Sequence, residues 1–220
     1  MKVISIVNFV RGGKSSIARL LAEKMETSIL NFDPKRDAHF YNAVKTMNIP
    51  ENASITRAGE QIKIETEEDI INISSKSNMF VCDFGGRFDE RINEFESDIY
   101  IMPMMDDFES ISETIKATKF ILKGNPAAKI LHVLNMAMCF NKTERKDFVR
   151  DYQELMTNNK LKNISYMEMP RSKLIKKLVN EYVKTSDVIG GSKFLALGAY
   201  KGINKFTDTL IDTINKEIGV

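Results

Sequence analysis

The sequence predicts an α/β domain built on a mostly parallel, twisted sheet with helices on both faces. Three observations predict it. Short runs rich in Val and Ile recur along the chain, segments of helical period separate them, and the runs end at Asn, Asp or Pro. At 220 residues the length suits one domain spanning 1–220.

The elements come in order. Lys2 to Val7 is the first strand, ending in the loop Asn8-Phe9-Val10-Arg11-Gly12-Gly13. A helix comes next, with Ile17, Leu20, Leu21 and Met25 on one face. Ser28 to Phe32 is a strand cut off by Asp33-Pro34. Helical pieces are expected around 37–47 and 66–76, flanking a polar stretch with Pro50 and Gly59. Met79 to Cys82 is a buried strand ending at Asp83, and Ile99 to Met102 another, closed by Pro103. A helix covers 108–123 and stops at Gly124. Lys129 to Leu134 is a strand, 142–158 a charged amphipathic helix, and Ile164 to Met169 the last strand. Helices around 172–184 and 194–217 finish the chain.

Composition excludes several classes. Apolar residues make up 43% and charged residues 28%, which suits a domain that buries a full core. The net charge of +2 argues against a DNA coater or an acidic tail. Its distribution is uneven. Residues 51–113 carry 16 acids and 5 bases, whereas 160–205 carry 10 bases and 3 acids, as expected of a surface for an anionic partner. Two cysteines, Cys82 and Cys139, are too few for a disulfide framework or a thiolate zinc site and suggest a reducing compartment. No apolar run is long enough to span a membrane, and the N-terminus reads as a strand rather than a signal peptide. His39 and His132 lack partners at ligand spacing and read as surface or core residues; the methionines read as core filler.

Gly12-Gly13-Lys14-Ser15-Ser16 sits between a strand and a helix, where its chemistry has a mechanical meaning. Glycines let the backbone curl its N–H groups toward phosphate oxygens, and the helix start adds further N–H groups and the positive dipole end. Lys14 would place its ammonium on the β- and γ-phosphates, and Ser15 would complete a Mg²⁺ shell. The regular phosphate-loop pattern needs glycine at position 8, where the chain has Asn8.

With that irregularity the chain resembles the deviant Walker A ATPases of the ParA/MinD kind, most of all the small plasmid and chromosome partition ATPases. Residues Ile6 to Ser16 fit the family's Asn-x-Lys-Gly-Gly-x-Gly-Lys-Thr-Thr segment with the loop about one residue short. Leu30 to Lys35 looks like switch I, with Asn31 replacing its first aspartate, and Phe80 to Gly86 like the Walker B strand and switch II. Ser97 to Pro103 resembles the next strand of the family. Val133-Leu134-Asn135 matches the strand ending in a base-contacting asparagine, and Met169-Pro170-Arg171-Ser172 the segment beside the base.

The resemblance implies a single-domain P-loop NTPase using ATP and Mg²⁺. Gly12, Gly13, Lys14, Ser15 and Ser16 would hold the phosphates, and Asn135, Pro170 and Arg171 would flank the base. Asp83 would bind Mg²⁺ through water, offsetting the cost of a buried carboxylate. Asp33 would point at the γ-phosphate side, and Gly85 would let switch II sense that phosphate. The family's signature lysine, which reaches the partner subunit's nucleotide, falls at Phe9 counted back from Lys14. Matching Gly12-Gly13 to the family's glycines instead puts Arg11 there, as a finger in trans. Asn31 implies hydrolysis that is slow or that relies on Asp33 alone to orient water.

The expected function is a partition ATPase: a homodimer closed on Mg-ATP that binds DNA without sequence preference and hydrolyses ATP when a centromere-binding, ParB/ParG-like adaptor stimulates it. Arg171, Lys173, Lys176, Lys177, Lys184, Lys193, Lys201 and Lys205 are the expected DNA-binding cations. No helix-turn-helix precedes the first strand, which argues against operator reading. The last helix lacks a basic–apolar tip, which argues against membrane binding and for a cytoplasmic, nucleoid-associated protein. Two alternatives remain: a small-molecule ATP-dependent ligase like dethiobiotin synthetase, and a slow-hydrolysing, nucleotide-gated positioning switch.

Overall fold

The computed structural model describes residues 2–10, 12–25, 27–31, 46–48, 54–57, 60–63, 79–84, 92, 97–172 and 194–219. The strands among them are β1 (Lys2–Ile6), β2 (Ser28–Asn31), β3 (Thr46–Asn48), β4 (Ser54–Arg57), β5 (Glu60–Lys63), β6 (Met79–Asp83), β7 (Ile99–Met105), β8 (Ile130–Asn135) and β9 (Ser165–Met169). They form one sheet in the order β5-β4-β3-β2-β6-β1-β7-β8-β9. From β3 to β9 every neighbouring pair is parallel; β4 and β5 continue the sheet antiparallel at one edge. The described helices are α1 (Lys14–Lys24), α2 (Phe108–Gly124), α3 (Lys142–Asn158) and α4 (Phe194–Ile218).

Alternation along the central strands sorts the core onto two faces. Ile4 and Ile6 of β1 join Val81, Ile101, Leu131 and Val133 under α1 and α4, where Ile17, Leu21, Leu210 and Ile214 meet them. Val3, Phe80, Cys82, Tyr100 and Met102 point the other way, against Ala117 and Ile121 of α2. A third cluster, with Met104, Ile115, Leu134, Phe148 and Tyr152, packs between α2 and α3. Helices thus cover both faces, as the sequence predicts.

Asp107 caps α2, its side chain accepting from Ser110 N at 2.7 Å, and Asn141 caps α3 by accepting from Thr143 N and Glu144 N. His132 is fully buried under these helices. Its Nε2 lies 2.9 Å from Thr118 Oγ1 and its Nδ1 3.0 Å from the Tyr152 hydroxyl. Because Thr118 donates to Thr114 O at 2.8 Å, it accepts from His132 Nε2–H, and Tyr152 then donates to Nδ1. Burial drives the His132 pKa down to about 3, so the ring is neutral.

Three expectations need correction. The stretch around Pro50 and Gly59 holds β4 and β5, and Thr46–Asn48, expected at a helix end, is β3. These strands lie toward the sheet edge, where the sequence has no apolar run to reveal them. The remainder of the two helical pieces, and the helix expected at 172–184 beyond Ser172, lie outside the described residues. Pro103 does not close its strand either. β7 runs through it to Met105, with Pro103 paired to Val133. The ring is tolerated because β1 has ended on that side. Val7 N donates to Ile101 O at 2.9 Å, and the next rung would require an N–H that proline lacks. Finally, Met138 is 53% exposed and is not core filler.

Candidate nucleotide site

The site assembles where β1 stops. Asn8, fully buried just past β1, lies against two neighbouring elements. Its Nδ2 donates to Pro103 O of β7 at 2.5 Å and to Thr114 Oγ1 of α2 at 2.9 Å, and its Oδ1 accepts from Val10 N at 3.3 Å. A carbonyl can only accept, so the amide nitrogen faces Pro103. Phe9 packs against Phe120, ring centroids 6.4 Å apart.

The glycines have distinct jobs. A Cβ on Gly12 would fall 2.0 Å from Pro103 O, so only glycine lets the loop lie against β7. Gly13, with φ +93°, turns the chain into α1 in the left-handed region that glycine tolerates. It stands at the N-cap of α1 with no side-chain cap, and the first turn has no acidic residue. Neither the N-cap residue nor the first turn thus supplies a carboxylate, and the positive end of the helix dipole suits an anion.

Lys14 opens the helix and is only 8% exposed. Its Nζ donates to Val10 O at 2.9 Å, which folds the ammonium back across the loop. Ser15 and Ser16 are half-buried in the same first turn. The Asn135 amide at the tip of β8 closes the other side: Nδ2 donates to Gly12 O at 3.1 Å and Oδ1 accepts from Ala137 N at 3.1 Å. Asn135 thus bears on the glycine loop itself, a contact the sequence does not reveal.

The strand register lines up the acidic side. Asp83, fully buried, ends β6 between Ile6 of β1 and Asn31 of β2. Phe84 N donates to Ile6 O at 3.1 Å, so the β6 tip stays bonded to β1 beside the loop. Next to Asp83, burial pushes the Cys82 thiol well above its ordinary range, leaving a neutral group in the strand.

Met169 pairs with Asn135, which brings the end of β9 next to the end of β8. Arg171 beyond it stacks its guanidinium 3.7 Å from the ring centroid of Phe140, and both side chains are exposed. The structure thus brings together Gly12, Gly13, Lys14, Ser15, Ser16 and Asn135 directly, with Asp83 at an adjacent strand tip and Pro170 and Arg171 just past β9. Arg11, Asp33, Gly85, Lys173, Lys176, Lys177, Lys184 and Lys193 lie outside the described residues. Lys201 and Lys205 are exposed on α4. Lys24, at the C-terminal end of α1, bonds Asn204 and Asp208, so this stretch of α4 lies about 15 Å, one α1 length, from the loop.

Sequence reasoning missed Asn8 as a brace, its partners Pro103 and Thr114, and Phe140 under Arg171. One signal was available: Ser110, Thr114 and Thr118 recur every four residues on a face of α2 otherwise bearing Ile111, Ile115 and Ile121.

The residues present fit a bound triphosphate. Two glycines packed where a Cβ would clash, a helix start with no side-chain cap and a buried lysine folded over the loop suit anionic oxygens. No protein-family model and no curated protein matches the chain. Solved structures do. A ParA family ATPase from Chlorobium tepidum aligns at TM-score 0.61 and 14% identity, covering 94% of this chain and 98% of its own. A plasmid partition protein from Borrelia burgdorferi bound to AMPPNP aligns at 0.56 and 13%, covering 93% and 97%. The cell division ATPase MinD from Pyrococcus furiosus aligns at 0.54 and 14%, covering 95% and 99%. At such identities the likeness establishes the fold.

Proposed function

We propose, on the premise that this is the fold of the ParA/MinD-type P-loop ATPases, that the chain is a partition or positioning ATPase. The observation that carries this reading is the loop itself. Gly12 lies against Pro103 O, Gly13 enters α1 in the left-handed region, and Lys14 reaches back across the turn. In the similar Borrelia protein the nucleotide analogue is AMPPNP, which supports ATP as the ligand.

In this reading the N–H groups of 12–16 bind the phosphates, and Lys14 neutralises charge on the β- and γ-oxygens. Ser15 and, through water, Asp83 would hold Mg²⁺, which supplies charge neutralisation when bound. Asn135, Pro170 and Arg171 flank the base. Asp33 orients water, Gly85 senses the γ-phosphate, and Arg11 reaches the partner subunit's nucleotide. The ATP-bound chain, one nucleotide-binding domain over 1–220, closes as a homodimer. It then binds DNA nonspecifically through Lys173, Lys176, Lys177, Lys184, Lys193, Lys201 and Lys205, until an adaptor protein stimulates hydrolysis. Among the described residues no helix is long and apolar enough to cross a membrane.

The test is sedimentation with ATP, ADP or no nucleotide, repeated with duplex DNA, alongside calorimetric titration of Mg-ATP. Mass doubling and DNA retention with ATP alone are expected. Failure to take up Mg-nucleotide at millimolar concentration overturns the reading.

One observation favours a second reading, a switch that hydrolyses slowly. Asn31 pairs with Asp83 at the adjacent strand tip, where the resemblance expects an aspartate. An amide there cannot take a proton from water.

A further inference from the structure

The reach of Asn8 across two elements points to more than packing. Its side chain touches β7 and α2 at once, and it sits where the regular phosphate loop has glycine. The Thr114 hydroxyl donates to Ser110 O at 2.7 Å, which leaves an oxygen lone pair for the Asn8 N–H at 2.9 Å. The polarity of the contact is therefore fixed from both sides, by Pro103 O holding the Asn8 nitrogen and by Ser110 O holding the Thr114 hydrogen. Both ends are buried, Thr114 and Asn8 each at 0% exposure, so water cannot replace either partner.

We propose that Thr114 is a positioning residue for the nucleotide site. By accepting from Asn8 it fixes the side chain that braces residues 8–10, and so fixes where the loop carrying Gly12, Gly13 and Lys14 meets a phosphate. The proposal rests on the nucleotide-binding reading above. The chain of contacts is short. Thr114 holds Asn8, Asn8 Oδ1 holds Val10 N, and Val10 O holds Lys14 Nζ. Asn8 also holds the carbonyl of Pro103 against which Gly12 packs. Losing the Thr114 oxygen strands a buried Asn8 N–H, and any shift of Asn8 that finds it another partner also moves Val10 and the contact with Pro103. The shape lost is that of the anion cradle, so the effect falls on phosphate affinity.

A matched control lies one turn along α2. Thr118 is also fully buried and also donates to the carbonyl four residues back, but it faces His132 and not the loop. Thr114→Val and Thr118→Val each remove one buried hydroxyl from the same helix and each strand one donor, so a general weakening of α2 affects both.

The experiment titrates the full chain and the variants Thr114→Val, Thr114→Ser and Thr118→Val with Mg-ATP and with inorganic tripolyphosphate, and records thermal melting without ligand. Expected are a loss of about tenfold in affinity for both ligands in Thr114→Val, restoration in Thr114→Ser, and unchanged affinity in Thr118→Val despite a lowered melting temperature. Equal affinity loss in the two valine variants, wild-type affinity in Thr114→Val, or no rescue by serine overturns the proposal. Absence of binding by the wild-type chain instead overturns the nucleotide-site reading on which it rests.

Discussion

The backbone oxygen of Pro103 occupies the space that a side chain on Gly12 would need, 2.0 Å from the position of its Cβ. Backbone oxygens in a central strand do not swing aside as a flexible side chain does. Gly12→Ala is therefore expected to push the loop off β7 and lower nucleotide affinity about 100-fold or more. Circular dichroism should remain near wild type, because the strands and helices around the loop keep their own cores. Calorimetric titration of Mg-ATP checks the outcome.

Lys14→Ala is expected to abolish both nucleotide uptake and nucleotide-dependent DNA retention. Lys176→Glu combined with Lys177→Glu should spare ATP binding and weaken DNA binding. Two phosphate contacts fewer should reduce the slope of log affinity against log salt by about 2. A gel-shift series across salt concentrations measures this, and unchanged retention by both variants contradicts the DNA role.

If Asn31 slows hydrolysis, Asn31→Asp should raise single-turnover hydrolysis by roughly tenfold without tightening ATP binding. In the strand register residue 31 pairs with Asp83, so the variant adds a second acidic residue at that pair. The gain should therefore grow with Mg²⁺ concentration, which offsets the added charge. Quenched-flow measurement of product from prebound ATP provides the rate.

His132 makes stability depend on acid in a defined window. Its folded pKa, about 3, lies below the ordinary value of 6.5, so the unfolded chain binds the proton first as pH falls. The neutral, buried ring contributes its full stability above pH 6.5. That contribution is lost by up to about 1.4 kcal/mol per pH unit as pH drops toward 3. Denaturant unfolding from pH 7.5 to 5 should show this slope, and His132→Gln should remove it.

Burial also protects the thiols. Cys139, bonded to Asp106 Oδ2 at 3.6 Å, has its pKa pushed up to about 11 by burial and then by the nearby carboxylates, and Cys82 is raised further by its fully buried position. Alkylation of the native protein at pH 8 should be roughly 100-fold slower than in denaturant. Mass spectrometry of timed aliquots tracks both sites.

Legibility of the fold tracked burial. β1, β6, β7 and β8 are sandwiched between helices, so their sequences are apolar runs such as Met79-Phe80-Val81-Cys82 and are readable as they stand. β4 and β5, at the sheet edge, spell Ser-Ile-Thr-Arg and Glu-Gln-Ile-Lys, polar enough to pass for a loop. The glycines and Lys14 of the candidate site were legible as a pattern, because a phosphate-binding loop would restrict the residue types that can serve. Asn8, Thr114 and the grip of Asn135 on Gly12 were not, because each depends on which strands lie side by side, and the chain order does not state that.

A backbone nitrogen without a hydrogen marks this end of the ladder between β1 and β7. After Val7 N has bonded Ile101 O, the next acceptor on β7 is Pro103 O, and it is the Asn8 side chain that takes it. Residue 103 is an imino acid, the ladder between β1 and β7 ends after Val7, and the residues beyond it form the candidate loop rather than more strand. The end of β1 and the start of the candidate loop thus lie beside a different strand, nearly a hundred residues downstream. A residue far from the loop in sequence thus both borders it and, through its carbonyl, holds Asn8 and Gly12 in place.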